Sequence, residues 1–343
     1  MKGQIFKIHS DFYYANTTHG IFECKIREIL KKQRETIFVG DFVELEQENF
    51  SSMQAFISKI LPRNNYITKP KVANIDQIII VSAIKNTDSH LPDFEQLNRY
   101  LCFCEYHKIS PILCFNKKDL NDDDNVFKKI KNIYGSLGYK TLFTSALNKE
   151  GITELENILK DKVTVLCGAS GVGKSSIANA INSDLNLKTK PVSEKTGRGT
   201  HTTRHCEIIE LELDNGNKAK IVDTPGFSHL KFDFLMPSDI SSLFPEIEKY
   251  QGKCKFADCL HEHEIDCSVI NNLDKIDKSR YESYLKFVSE AKEYKTKVTY
   301  SGTKTESNTK TVHNKTFAKI SNKKRQSSRK KENQNTNKGH YNE

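Results

Sequence analysis

The spacing of apolar positions changes character along the chain. Over residues 1–66, apolar and polar residues alternate in short runs: QIFKIH, FYYANT, GIFECKI, TIFVGDFVEL and QAFISKIL. Turn signals fall at Thr18-His19-Gly20 and Gly40-Asp41. Five short strands in this length predict a small OB-like barrel. Tyr13, Tyr14, Phe22, Lys25 and Arg27 on these runs either stack on and pair with RNA or fill the barrel core. A basic stretch, LPRNNYITKPKVAN, reads as a linker.

Longer units follow, in which strands and helices alternate. IDQIIIVSA (75–83), SPILCFNKKDL (110–120), YKTLFTSA (139–146) and VTVLC (163–167) read as strands. PDFEQLNRYLCFCEYH (92–107), residues 124–137, GITELENILK (151–160) and the IANAINS segment read as helices. CEIIELEL (206–213) and KAKIVDTPG (218–226) are strands joined by Asp214-Asn215-Gly216. This alternation predicts a mostly parallel sheet covered on both faces, with ligands at the carboxyl ends of its strands. Beyond it, SDISSLFPEIEKY and KSRYESYLKFVSEAKEY read as helices around a cysteine cluster.

The predicted architecture is therefore multi-domain. An all-β OB-like barrel (1–66) precedes a central α/β phosphate-loop domain (67–233), a small helical metal-binding domain (234–290) and a basic disordered tail (291–343). Charge separates the tail from the body. Residues 291–343 carry 14 Lys and Arg against 4 Asp and Glu, leaving 39 basic and 40 acidic residues in the first 290. The tail is either a solubilising end or a polyanion-binding arm suited to RNA. No apolar run approaches a membrane-spanning length, and the N-terminus alternates like a strand instead of forming a signal segment. Of nine cysteines, six lie in apolar runs and three cluster at 254–267, the pattern of reduced thiols plus one metal site. A cytoplasmic monomer is expected.

The candidate chemistry begins at Gly168-Ala169-Ser170-Gly171-Val172-Gly173-Lys174-Ser175-Ser176, which fits G-x-x-x-x-G-K-[ST] between a strand and a helix. Its backbone N–H groups can cradle phosphates, with Lys174 reaching the β- and γ-phosphates and Ser175 binding Mg²⁺. Asn116-Lys117-Lys118-Asp119 ends an earlier strand. The Asp119 carboxylate can accept the N1 and N2 hydrogens of guanine, which adenine does not offer. Asn116 can tie this loop to the phosphate loop, the Lys117 stem can cover the base, and Ser145-Ala146 can offer a backbone N–H to guanine O6. Asp223-Thr-Pro-Gly226 ends another strand. Asp223 can hold Mg²⁺ through water, and the Gly226 N–H can meet the γ-phosphate. The loop Gly197-Arg-Gly-Thr-His-Thr-Thr-Arg204 suits a mobile switch, with Thr203, or Thr202 beside it, meeting Mg²⁺. Phe227 stands where Ras-like enzymes use a water-orienting Gln, so His201 is the nearby group able to orient water.

The motifs run in the order NKKD, SA, phosphate loop, HTT, DTPG, a circular permutation of the Ras-like order. Further on, Cys254, Cys259 and Cys267 accompany His261 and His263 in fourteen positions. Three thiolates and one imidazole suit a closed tetrahedral zinc site, with His261 chosen as the fourth ligand.

Together these residues resemble the RsgA family of circularly permuted GTPases dependent on the small ribosomal subunit. The resemblance covers about residues 1–290 and rests on the barrel, the permuted motifs, GRGTHTTRH and C-x₄-C-x-H-x₅-C. It implies GTP binding with Mg²⁺, one zinc, contact with the small subunit and its rRNA late in maturation, and ribosome-stimulated hydrolysis to GDP. It also implies zinc ligation by His261 and a catalytic role for His201. Ile265 stands where the family usually has proline, and the tail lies outside the family core. A GTP-regulated module acting on other RNA, with incidental hydrolysis, is the alternative; an ATP-using enzyme is opposed by Asp119.

Overall fold

The computed structural model describes residues 1–32, 35–85, 91–121, 123–182, 206–213, 216–223, 230, 232, 234–300, 309–312 and 315–318. Chain contacts divide it into Met1–Lys292 and Glu293–Glu343.

The first five strands are β1 (Lys2–His9), β2 (Phe12–Thr17), β3 (Gly20–Ile26), β4 (Phe42–Asn49) and β5 (Gln54–Ile60), with a short helix α1 (Glu28–Lys32) between β3 and β4. They pair in the order β1-β2-β3-β5-β4 and close through β4 onto β1. All pairs are antiparallel except β3 with β5. This is the expected OB-like barrel. Alternate residues Ile5, Ala15, Phe22, Cys24, Val43, Leu45, Ala55 and Ile57 fill it. Phe22 is thus core, while Tyr13, Tyr14 and Arg27 are half-buried and Lys25 is exposed.

The expected strand over 36–45 breaks at Gly40, whose φ is +93°. The Asp41 carboxylate accepts from the Phe38 N–H at 2.7 Å and from Arg63 at 2.6 and 2.7 Å, which locks a turn there. The presumed linker is also structured: β6 (Tyr66–Ile67) and β7 (Val72–Ala73) pair, and Ile67, Val72 and Ala73 are buried.

The central sheet is built from β8 (Gln77–Ala83), β9 (Ser110–Asn116), β10 (Lys140–Phe143), β11 (Val163–Cys167), β12 (Glu207–Glu212) and β13 (Lys218–Asp223). Its order is β10-β9-β8-β11-β13-β12, parallel throughout except for β12 against β13. Ile78 to Val81 show why β8 reads as an unbroken apolar run. Ile78 and Ile80 enter the core that holds α2 (Phe94–His107) and α3 (Asp124–Ile130), whereas Ile79 and Val81 enter the core that holds α4 (Ile152–Leu159) and α5 (Lys174–Ile181). Asp93 caps α2 by accepting the Gln96 N–H at 3.0 Å. Strand order reverses between β8 and β11, the place where such sheets bind ligands. β1 joins the barrel to the sheet edge at Lys7 opposite Glu207, whose side chains pair at 2.8 Å.

The C-terminal domain contains α6 (Pro245–Glu248) and α7 (Lys278–Tyr300). Arg280, Tyr284, Phe287, Val288 and Ala291 form its buried stripe at helical spacing. They pack with Ile240, Phe244 and Ile247, and with Cys102 from α2. Instead of one helix, SDISSLFPEIEKY forms short turns ending in α6, because Pro245 starts a new segment. α7 runs ten residues into the segment expected to be a disordered tail, helped by Glu293–Lys297 spacing. Within the tail, β14 (Thr309–Val312) and β15 (Lys315–Ala318) pair antiparallel, so these residues too depart from the expected disorder. The other tail residues after Tyr300 lie outside the described residues.

Candidate nucleotide site and metal centre

The polar motifs sit at the carboxyl ends of β9, β10, β11 and β13. Gly168 leaves β11 with φ +141°, and a Cβ there would lie 2.1 Å from the Val81 carbonyl of β8. Only glycine lets the loop pass so close to its neighbour strand. The loop then curls through Ala169, Ser170, Gly171 and Val172 to Gly173, from which Lys174 opens α5. Ser175 and Ser176 follow, half-buried in its first turn. The Lys174 ammonium donates to the Gly168 and Ala169 carbonyls, both at 2.8 Å.

Asn116 fastens three segments together. Its Nδ2 donates to the Val172 carbonyl at 2.9 Å, and its Oδ1 accepts from the Ala146 N–H at 3.1 Å and the Thr144 hydroxyl at 3.3 Å. A Cβ on Gly173, whose φ is +97°, would come within 2.2 Å of Asn116 Nδ2. Lys117 takes a left-handed conformation, φ +63°, and turns the chain into Lys118 and Asp119. The Asp119 carboxylate accepts from the Ser145 hydroxyl at 2.5 Å, and that hydroxyl accepts from the Asn148 N–H at 3.1 Å. Lys118 pairs with Glu150 at 2.7 Å.

Of the Ser145-Ala146 pair expected to offer a backbone N–H to guanine O6, the Ala146 N–H donates to Asn116 Oδ1 and the Ser145 N–H to the Glu150 carbonyl at 3.0 Å. Thr144 and Glu150 carry no motif signal of their own; only their place beside Ser145 marks them. Asp223 ends β13 at the same edge of the sheet. His201, Thr202, Thr203, Gly226 and Phe227 lie outside the described residues.

The Cys254, Cys259, His261 and Cys267 ligand atoms all fall within 4.8 Å of one another. Cys254 Sγ lies 3.8 Å from Cys267 Sγ, and His261 Nδ1 lies 3.5 and 3.3 Å from those sulfurs. A tetrahedral zinc with ordinary bond lengths would give edges of about 3.8 and about 3.5 Å, so the donor set fits. Burial lowers the His261 pKa, keeping the imidazole in the neutral form that ligates. His261 Nε2 is buried and has no hydrogen-bond partner among the described residues, which leaves Nδ1 as the donor atom facing the sulfurs. Burial also pushes the Cys259 thiol up to about 12, against the opposing His261 backbone N–H. A bound cation reverses that tendency and draws the thiolate form. His263 is exposed and outside the cluster.

Glu264 organises the knuckle. Its carboxylate accepts from the Leu260 and Glu262 N–H groups at 2.8 Å and from His263 at 3.1 Å. Burial works against its charge, yet the backbone donors outweigh burial and bring it down to about 2. These bonds close the turn ahead of Ile265. Tyr281 and Tyr284 on α7 donate to the His261 and Leu260 carbonyls, both at 2.7 Å. These supports were invisible in the ligand spacing.

The RsgA GTPase family profile matches residues 60–233, and that of the RsgA N-terminal domain matches residues 2–53. A third profile, for the 50S ribosome-binding GTPase family, matches residues 163–315, starting at the first residue of β11. The chain is similar to the small ribosomal subunit biogenesis GTPase RsgA of Caldanaerobacter subterraneus subsp. tengcongensis, 39% identical over 85% of this chain and 96% of that protein. It is similarly related to the protein of the same name from Clostridium kluyveri, at 41% over 84% and 98%. Among solved structures, YjeQ from Thermotoga maritima superposes with a TM-score of 0.71 at 33% identity, covering 84% of this chain and 98% of that one. YloQ, described as a circularly permuted GTPase, gives 0.68 at 30%, covering 85% and 95%. The barrel, the permuted order of the site and these relationships agree: the chain belongs to the RsgA GTPase family.

Proposed function

We propose that this GTPase acts in maturation of the small ribosomal subunit, docking on its rRNA and hydrolysing GTP to GDP and phosphate with stimulation by the subunit. The observation that carries the nucleotide reading is the bond from Asn116 to Val172, which fuses two motifs 56 residues apart into one site. The names of the relatives carry the ribosomal half.

In this reading Asp119 accepts the N1 and N2 hydrogens of guanine, while Ser145 holds one carboxylate oxygen and aims the other. The Lys117 stem covers the base. Lys174 turns from the Gly168 and Ala169 carbonyls to the β- and γ-phosphates, where loop N–H groups and the start of α5 already favour negative charge. The GTPase fold implies Mg²⁺, which neutralises charge on the phosphates; Ser175, Thr203 and Asp223 would hold it. The Gly226 N–H meets the γ-phosphate, and His201 orients the attacking water. Cys254, Cys259, His261 and Cys267 would hold a zinc ion, which would supply a cross-link within the C-terminal domain.

The working domain limits are 1–66, 67–233, 234–290 and 291–343. The half-buried Tyr13, Tyr14 and Arg27, with Lys25, offer the barrel's RNA-facing groups, and Lys25 lies 5.2 Å from the Phe12 ring centre. Among the described residues no helix is long and apolar enough to cross a membrane. A cytoplasmic monomer fits this work.

The test is GTP turnover with and without purified small subunits. Wild type alone should be slow, on the order of 10⁻⁴ to 10⁻² s⁻¹, and should accelerate with subunits. His201→Ala should bind GTP normally and lose the acceleration. Fast turnover indifferent to subunits would refute the proposal. Co-sedimentation with small subunits in a GTP analogue, but not in GDP, separates this reading from action on other RNA.

A further inference from the structure

The two loops that approach the base share an aromatic floor. Phe115 immediately precedes Asn116, and Phe143 immediately precedes Thr144, Ser145 and Ala146. The two rings stack at 5.6 Å with an interplanar angle of 25°. Phe127 meets Phe143 edge-on at 5.0 Å, while Tyr134 lies 6.4 Å from Phe115 and 6.3 Å from Phe94. A shift of this cluster carries both loop origins with it, because close-packed rings move together.

The floor has one polar handle. The Tyr134 hydroxyl, on a fully buried side chain, donates to Asn98 Oδ1 at 2.9 Å. Asn98, also fully buried, belongs to α2 and bonds across to α7 of the metal-binding domain. Its Oδ1 accepts a second bond from Arg280 Nη1 at 3.0 Å, and its Nδ2 donates to the Ser283 hydroxyl at 2.8 Å. Arg280 and Ser283 are on α7. Arg280 is held in turn by Glu246 through bonds of 2.6 and 3.1 Å. The same helix grips the metal knuckle through Tyr281 and Tyr284.

We propose that Tyr134 is a positioning residue for guanine recognition: its hydroxyl anchors the ring floor beneath Asn116 and Ser145 to Asn98 and α7 of the metal-binding domain. The proposal rests on the reading of Asp119 as the guanine acceptor. Hydrogen bonds weaken steeply with angle, so the preference for a base bearing the exocyclic N2 amine depends on how firmly Asp119 is aimed. Freed from Asn98, the Tyr134 ring no longer fixes Phe115, and the carboxylate samples poorer geometries.

The readout is the ratio of affinities for GDP and inosine diphosphate, which lacks the N2 amine. Tyr134→Phe keeps the ring and removes the anchor. It should narrow the ratio by about 3–10-fold, the range for one lost hydrogen bond, with metal content unchanged. Ser283→Ala removes the shorter of the two bonds that the Asn98 amide donates, leaving the Ser279 carbonyl at 3.5 Å, and should narrow the ratio less but in the same direction. A purely structural role would lower the melting temperature and leave the ratio alone. An unchanged ratio in the folded variants, or in Ser283→Ala alone should Tyr134→Phe not fold, overturns the proposal. Asp119→Asn tests the reading beneath it by shifting preference to xanthosine diphosphate. If that shift is absent, the guanine reading fails and this inference falls with it; if it is present with unchanged ratios, only this inference falls.

Discussion

Asn116 and Gly173 occupy each other's space so closely that the second must be glycine. The Asn116 amide nitrogen would stand 2.2 Å from a Cβ at Gly173 while donating to the Val172 carbonyl 2.9 Å away. The Asn116–Asp119 loop and the Gly168–Gly173 loop are therefore set by one contact, and each limits the shape of the other.

Gly173→Ala should break that contact. The methyl has no room and the backbone is left-handed, so the loop must rearrange. Loss of the buried bond and its unpaired partners costs about 2–4 kcal/mol, or roughly 30- to 1000-fold in GDP affinity by equilibrium titration. Metal content should not change.

Metal removal should act on the C-terminal domain first. Structural zinc in small domains supplies ~10–16 kcal/mol of apparent folding free energy. Chelation should abolish the near-ultraviolet signal of Tyr281 and Tyr284, which hold the knuckle. Metal analysis should give one zinc per chain in wild type and in His263→Ala, and none in His261→Ala. Zinc retained by His261→Ala would exclude the ligand set.

The buried Arg280–Glu246 pair separates two kinds of change. Both side chains are at least nine-tenths buried. Arg280→Met strands the Glu246 carboxylate and should cost ~3–5 kcal/mol in urea unfolding. Replacing both partners by apolar residues should cost less than the single change, because no lone charge remains.

His107 gives stability a pH dependence. Burial lowers its pKa below the ordinary value, opposed by the hydrogen bond its ring donates to the Tyr66 backbone carbonyl. The unfolded chain therefore takes up the proton first as pH falls. Its contribution to stability is complete above about pH 6.5 and declines below it, down to the lowered folded value. Denaturant unfolding at pH 7.5 and 5.5 should show a smaller loss for His107→Gln than for wild type.

The parts legible in the sequence were those whose determinants are neighbours in the chain. The glycines around Lys174, the Asn116–Asp119 tetrapeptide and the cysteine spacing each state their geometry locally. β8 and β11 announced burial by unbroken apolar runs. What escaped depends on distant partners. Asp41 breaks a plausible strand because Arg63, 22 positions on, pairs with it. Asn98 and Arg280 meet across 182 positions, and neither helix marks its buried polar residue in its periodicity. The bond from the Ala146 N–H to the Asn116 side-chain carbonyl is likewise visible only in three dimensions.

The order of strands in the central sheet has a consequence for how the domain is made. β8, β9 and β10 are consecutive in the chain and occupy one side, while β11, β12 and β13 occupy the other. The reversed motif order thus puts one side of the sheet wholly before the other in the chain, with residues 160–162, between α4 and β11, as the crossing point. Both cores draw on both sides, so neither is complete until β11 to β13 have been added to β8. Severed at that point, two separately expressed fragments have a ready seam, β8 against β11, along which to reunite.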